Sequence, residues 1–228
     1  DPKINLILLD DAFQHRYVKP KVNIVLVDYN RPPHTDRLLP LGTLREPFRH
    51  ILKADIVIVT KCPSDISPLD MKLWKKNLDL YPSQEMFFSR IEYAYPKPVF
   101  PVADVLLQNL SMLGPNDLIL GLTGIANQRP FVKYLRNFHA QVKVIHYDDH
   151  HDYTREDFKY IIKIFNDLQG ARKFIVTTEK DAVRILNNPY FPHEMRSYIY
   201  YVPIKVSVNV TEKDFITHLE SAIHAPEE

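Results

Sequence analysis

The run Ile4-Asn5-Leu6-Ile7-Leu8-Leu9, followed at once by Asp10-Asp11-Ala12-Phe13-Gln14-His15-Arg16, sets the reading of the whole chain. A short apolar run reads as a strand buried in a parallel sheet. In open α/β sheets, ligands collect outside the carboxyl ends of the strands. Two adjacent carboxylates at that point suit a hard divalent cation such as Mg²⁺, held beside a phosphate chain. The amide, imidazole and guanidinium that follow can donate hydrogen bonds to phosphate or sugar oxygens. The structural alternative for Asp10-Asp11 is an acidic turn that caps the next segment.

Working outward, apolar runs alternate with amphipathic stretches. The pattern predicts strands at 4–9, 23–27, 56–60, 86–93, 118–122, 142–147, 173–177 and 198–202, and helices at 44–52, 68–80, 129–138, 154–168, 179–186 and 211–224. Such alternation implies an α/β fold with largely parallel sheets flanked by helices. Helix starts have local causes: Ser67 before Pro68, Thr154 three residues before Asp157, and Thr178 before Glu179 and Asp181. Gly170, just past Leu168, suits a left-handed cap. The proline-dense stretch Tyr95-Pro96-Lys97-Pro98-Val99-Phe100-Pro101 interrupts the alternation, and two α/β lobes are expected, 1–112 and 113–228.

Composition narrows the function classes. The 228 residues carry a net charge of +1, which gives no bulk electrostatic case for nucleic acid. The single cysteine, Cys62, excludes an internal disulfide framework and fits a reducing compartment. No apolar run reaches spanning length, although surface contact with a membrane stays open. There are 5 glycines against 18 prolines, and none of the glycines builds G-x-x-x-x-G-K-[ST] or G-x-G-x-x-G. The chain opens without Met and enters an apolar strand within a few residues, so an amino-terminal part of a larger protein is expected to precede it.

Further clusters stand at the ends of other strands. Arg45 in Arg37-Leu38-Leu39-Pro40-Leu41-Gly42-Thr43-Leu44-Arg45-Glu46-Pro47 could clamp phosphate oxygens and Glu46 could complete a metal shell, or the two could be a surface pair. Lys61 in Val59-Thr60-Lys61-Cys62-Pro63 could approach a nucleotide, or be solvated; Cys62 reads as inert packing. Gly124 permits a tight turn in Leu122-Thr123-Gly124-Ile125-Ala126-Asn127. In Asp148-Asp149-His150-His151-Asp152-Tyr153, His150 could serve as a general base or orient one, or the stretch could be a polar loop before a helix. Glu179 and Lys180 follow the Thr177-Thr178 strand end, with helix capping as the alternative.

Taken in order, Asp10–Arg16, Leu38–Pro47, Gly124-Ile125-Ala126-Asn127, Asp149-His150-His151 and Thr178-Glu179-Lys180-Asp181 resemble the motifs of the tetraacyldisaccharide 4′-kinases, the lipid A 4′-kinases of Gram-negative bacteria. The resemblance implies a P-loop NTPase-like fold with an incomplete first lobe. It implies transfer of the ATP γ-phosphate to the 4′-hydroxyl of tetraacyldisaccharide 1-phosphate, giving lipid IVA. It implies Mg²⁺, ATP as co-substrate, an acylated disaccharide lipid as partner, and a peripheral place on the cytoplasmic face of the inner membrane. Asp10 and Asp11 match the acidic pair of the family, Asp11 with a catalytic role as well. Glu46 matches a further acidic residue near the metal, Arg45 a basic one near the phosphates, and Gln14 and His15 the residues after the acidic pair. His150 matches a histidine that pairs with a catalytic aspartate. Ala12 departs from the family's glycine, which a negative φ there would allow. The family's phosphate loop and catalytic aspartate precede the acidic pair, so residues 1–228 alone are expected not to transfer phosphate. Two other readings of the same residues are a nucleotide-dependent switch or metallochaperone-type P-loop protein, and a non-catalytic α/β binding module.

Overall fold

A computed structural model of the chain describes residues 3–15, 17–208 and 212–225. In chain order the strands are β1 (Ile24–Asp28), β2 (Ile56–Thr60), β3 (Glu85–Tyr93), β4 (Lys97–Pro98), β5 (Leu118–Thr123), β6 (Gln141–His146), β7 (Lys173–Thr178), β8 (Ile199–Val202) and β9 (Ile204–Val208). The α-helices are α1 (Pro68–Leu78), α2 (Arg129–Leu135), α3 (Arg155–Asp167), α4 (Glu179–Leu186) and α5 (Glu212–His224). The chain divides into two compact units, one of Asp1–Ile91 with Val206–Glu228 and one of Glu92–Lys205. The 112/113 boundary read from the sequence falls inside the second of these, after the 3₁₀ turn Leu110–Met112.

The first unit is built on a four-stranded sheet in the order β1-β2-β3-β9. β1, β2 and β3 run parallel. β2 reads Ile-Val-Ile-Val-Thr, and Val57 and Val59 are wholly buried, as a central strand flanked on both sides requires. β1 lies at the edge, and its Leu26 is 67% exposed. α1 starts at a complete capping box, Ser67 with Asp70, and has Pro68 in its first turn. It buries Trp74 and Leu78 in a core with Val27, Ile51, Val57, Val59 and Phe88.

The second unit has a five-stranded sheet in the order β4-β8-β7-β5-β6. β6, β5, β7 and β8 are parallel, and β4 pairs antiparallel with β8 at the edge. Every residue of β5 is buried. Gly121 lets α2 pack closely there: a Cβ would approach the Leu135 side chain to 3.0 Å, and Leu135 would have to give way to accommodate it. α3 carries its own capping box, Thr154 with Asp157, and buries Phe158, Ile161 and Phe165. That spacing puts all three on one stripe facing the core. Removing each from water contributes roughly 1.5–3 kcal/mol.

Several expectations are corrected. Residues 4–9 form no strand: they pair with nothing in a ladder, and Leu8 is 86% exposed. A strand exists only through its hydrogen-bonded neighbour, and apolar composition alone does not supply one. The helix expected at 44–52 is a 3₁₀ helix, Phe48–Lys53, held off by Pro47, while Leu44 bridges to Leu38. α2 ends three residues sooner than expected. β9 and the short β4 were not anticipated. Gly170 is not left-handed; a Cβ there would crowd the Leu118 Cβ at 3.1 Å, so its smallness serves packing. Ala12 keeps out of the left-handed region, whereas Asp11 adopts it with φ 48°. Arg16 lies outside the described residues.

Candidate functional site

In the first unit a cleft of ≈ 360 Å³ runs along β1 to its carboxyl end. Asp11, Gln14, Asp28, Arg31, Arg45 and Glu46 line it. Thus four of the residues singled out by sequence, from two separate segments, meet on one surface. Arg45 reaches Asp11 at 3.8 Å, with both side chains largely exposed. Glu46 is half-buried and meets His50 Nδ1 at 2.5 Å one helical turn on. Asp10 and His15 do not line the cleft; both are exposed, and the His15 backbone N–H closes a tight turn on Ala12.

The loop that presents Arg45 and Glu46 is fastened by Asp36, a residue the sequence reading passed over. Its Oδ1 accepts from the Arg37 and Thr43 backbone N–H groups at 2.7 and 3.1 Å, and its Oδ2 accepts from the Thr43 hydroxyl. Those hydrogen bonds, Thr43's first, hold its carboxyl below the usual carboxylate range. Gly42 is obligatory in that loop, because a Cβ would sit 2.2 Å from the Arg37 carbonyl oxygen.

At the carboxyl ends of β1 and β2, Asp28 accepts from Lys61 Nζ at 2.6 Å and from the Asn30 backbone at 2.9 Å. Burial pushes the Asp28 carboxyl up, but the bonds from Lys61 and Asn30 outweigh it and leave it lowered. Lys61 therefore has a carboxylate partner rather than a free solvated end. Cys62 is buried, donates to the Val59 carbonyl at 3.3 Å, and is pushed up to about 11 by burial, which makes it inert.

A metal needs converging donors. Among the described residues, no three His, Cys, Asp or Glu side chains are grouped so as to hold one. The cleft is lined by three carboxylates, Asp11, Asp28 and Glu46, of which Asp28 is engaged by Lys61 and the other two are left to offer. Magnesium ordinarily takes one or two carboxylates and completes its octahedron with phosphate oxygens and water, so this donor set fits magnesium beside a phosphate and fits a closed protein cage poorly.

In the second unit, β5 leads to β6 on one side while β7 and β8 lie on the other. The crevice between the ends of β5 and β7 is therefore a topological switch point, where α/β sheets bind ligands. Gly124 follows β5, His150 follows β6, and Lys180 and Arg184 lie on α4 after β7. His150 is left-handed, with φ 64°. Its Nδ1 accepts from Arg184 at 3.1 Å, and its Nε2 lies 3.3 Å from Lys180 Nζ and 3.6 Å from Asp149. Lys180 donates to Asp149 at 2.9 Å, which is the main cause of that carboxyl's lowered pKa. Beneath them Asp181, wholly buried, accepts from the Gly124 backbone at 3.0 Å and the Thr178 hydroxyl at 2.7 Å. Gly124 is needed for this approach rather than for a left-handed turn, since a Cβ would stand 3.0 Å from the Asp181 carboxylate. The Tyr153 hydroxyl is driven strongly upward by burial and, next, by Asp181.

His151, beside His150 in sequence, does different work. Its Nε2 meets Asp157 at 3.0 Å and its ring stacks on Tyr147 at 4.3 Å, so it belongs to the capping box of α3. Glu179 occupies the first turn of α4, where the helix dipole favours it.

Parallel sheets with polar clusters at their carboxyl edges place the chain among the α/β proteins that bind ligands at strand ends. The chain belongs to the tetraacyldisaccharide-1-P 4′-kinase family, whose family model matches residues 1–224. It is 42% identical over 220 residues to a tetraacyldisaccharide 4′-kinase of Bacteroides thetaiotaomicron, covering 94% of this chain and 58% of that protein. It is 41% identical to the enzyme of the same name from Phocaeicola vulgatus, over 90% of this chain and 56% of the relative. The chain thus spans a little over half the length of the curated relatives it matches. In fold it is similar to a crystal structure of LpxK from Aquifex aeolicus in complex with ATP, with a TM-score of 0.59 and 20% identity, covering 95% of this chain and 56% of that one.

Proposed function

We propose that the protein phosphorylates the 4′-hydroxyl of tetraacyldisaccharide 1-phosphate at the expense of ATP, forming lipid IVA. One observation carries the reading: Asp11, Gln14, Arg45 and Glu46, from two separated segments, line one cleft in a chain that belongs to this family. In the reaction the sugar hydroxyl bonds to the γ-phosphorus, the bond to the β–γ bridging oxygen breaks, and ADP leaves. Such transfer is mainly a matter of positioning and charge neutralisation. The guanidinium of Arg45 would lie against the transferred phosphoryl group and offset its charge. Gln14 would donate to phosphate or sugar oxygens. Asp11 and Glu46 would hold Mg²⁺, which when bound neutralises the phosphate oxygens. His150 would serve the hydroxyl's proton transfer by orienting the base that accepts it. Family membership favours this over a switch, a metallochaperone or a binding module.

The substrate is an acylated lipid, so the protein would work peripherally at the cytoplasmic face of the inner membrane. Among the described residues no helix is long and apolar enough to cross a membrane. The reading is tested by Asp11→Asn in the full-length protein, assayed by transfer of labelled γ-phosphate to the disaccharide. Loss of at least ~10²-fold in kcat is expected, as for removal of a principal electrostatic element. Unchanged turnover would refute the role given to the cleft.

A further inference from the structure

Glu46, the carboxylate offered to magnesium, does not stand alone in its cleft. His50 lines the same cleft, and its Nδ1 lies 2.5 Å from Glu46 Oε2. A carboxylate that ligates a metal is ionised and only accepts hydrogen bonds, so the N–H of this contact belongs to His50 Nδ1. The pair differs from an ordinary surface pair. In Lys159–Glu156 the side chains are 61% and 76% exposed, against 29% and 26% in His50–Glu46. A half-buried hydrogen bond to a charged group is less screened than an exposed one and stronger than a neutral one.

His50 is also held from behind. Pro47 separates Glu46 from the 3₁₀ helix Phe48–Lys53, so the carboxylate hangs from a loop and the imidazole from a helical turn. The His50 backbone N–H donates to the Pro47 carbonyl at 2.9 Å. The next residue, Ile51, is buried in the core of the first unit. Gln84, itself buried, donates from Nε2 to the Ile51 carbonyl at 3.0 Å and to the Ala54 carbonyl at 2.6 Å, which fastens the helix to the start of β3. A glutamate side chain on a loop has rotamer freedom to lose when it takes a cation, and tied to a fixed imidazole it has already lost part of it. Carboxylates that bind metals are commonly oriented by hydrogen-bonding partners of this kind.

We propose that His50 is a positioning residue: its Nδ1–H holds Glu46 Oε2 and so orients the carboxylate for a cation bound in the cleft. This role rests on the reading of Glu46 as a magnesium ligand.

The test is binding of Mn²⁺, a paramagnetic stand-in for Mg²⁺, to the full-length protein held in excess over a non-hydrolysable ATP analogue, with bound and free metal distinguished by electron paramagnetic resonance. His50→Ala is expected to weaken binding about ten- to a hundredfold, as for other partners that orient a metal ligand. His50→Asn, whose amide nitrogen takes the place of Nδ1, is expected to restore most of the affinity. Urea unfolding of the same variants reports folding. An imidazole that only packs would lower the midpoint of His50→Ala and leave the metal affinity of the folded protein unchanged, and that result overturns the proposal. So does a His50→Asn variant as weak as His50→Ala. Glu46→Gln keeps the two readings apart. If it weakens Mn²⁺ binding while His50→Ala does not, Glu46 remains a ligand and His50 does not position it. If Glu46→Gln leaves binding unchanged, Glu46 is no ligand and both readings fall.

Discussion

The two polar clusters stand at similar places, beyond the carboxyl ends of parallel strands, yet they are held differently. In the first unit the charged pair Asp11–Arg45 is exposed and long at 3.8 Å, and the loop beneath is fastened by Asp36 and Gly42. In the second unit His150 is reached through Arg184 from Asp181, which is wholly buried in the first turn of α4. The supporting strands differ in the same sense: β1 is an edge strand and β5 is buried throughout. The first cluster can be remodelled by whatever enters it, because little stability rests on its contacts. The second is built into the core of its unit.

The contrast is broken most directly by truncating one side chain in each unit. Phe158→Ala opens a cavity in the core of the second unit, and a loss of about 3–5 kcal/mol is expected. Leu26→Ala on exposed β1 should stay within about 0.5 kcal/mol. Urea unfolding followed by circular dichroism measures both, and equal losses would erase the distinction.

A pH series sharpens it. In the second unit Asp117 accepts from Arg172 Nη2 at 2.6 Å and from the Gly114 backbone at 2.8 Å, and its pKa is held at about 2, chiefly by Arg172. The folded value lies below the ordinary carboxylate value of about 3.9. Its stabilisation is therefore complete above about pH 4 and fades as pH falls through about 2. Thermal midpoints of Asp117→Asn should lie below those of the unsubstituted chain near neutrality and approach them in acid. The neutral-pH deficit should be smaller than that of Phe158→Ala. Parallel curves would show that Asp117 contributes nothing through its charge.

The smallest effects belong to caps and exposed pairs. Thr154→Ala removes the capping box of α3 and is expected to cost about 1 kcal/mol. Arg45→Gln breaks an exposed ion pair and should leave the unfolding midpoint within about 0.5 kcal/mol of the original. A large loss from Arg45→Gln would mean that the first cluster is structural after all.

Much of the second unit could be read directly from the chain. β5, β6 and β7 are apolar runs between helices whose caps, Thr154 and Thr178, are visible in the sequence. Period and capping are local properties, and there they agree with the tertiary context. Residues 4–9 show the opposite: the same kind of run, exposed and unpaired, because pairing is a property of two segments. β9 was missed for a related reason. Its place beside β3 depends on a return across about half the chain, which no window of sequence contains.

The candidate residues divide along the same line. Asp11, Gln14, Arg45 and Glu46 announced themselves by type and by position after apolar runs, and they do share a cleft. Asp10 carried the same signal and does not line it, because neighbouring residues in a tight turn point apart. Asp36 and Arg184 carried no signal, since a single Asp in a loop or Arg on a helix is ordinary until its partner is known.

By itself the sequence determined the α/β alternation, the helix starts and the residue types able to handle a phosphate, since all three depend on side chains close together in the chain. Only the tertiary structure decided which apolar runs became strands, that Asp11 and Glu46 share a cleft, and that a buried Asp181 aims Arg184 at His150. Those facts arise from contacts between distant segments, whose geometry is fixed by packing and by the need to satisfy buried polar groups.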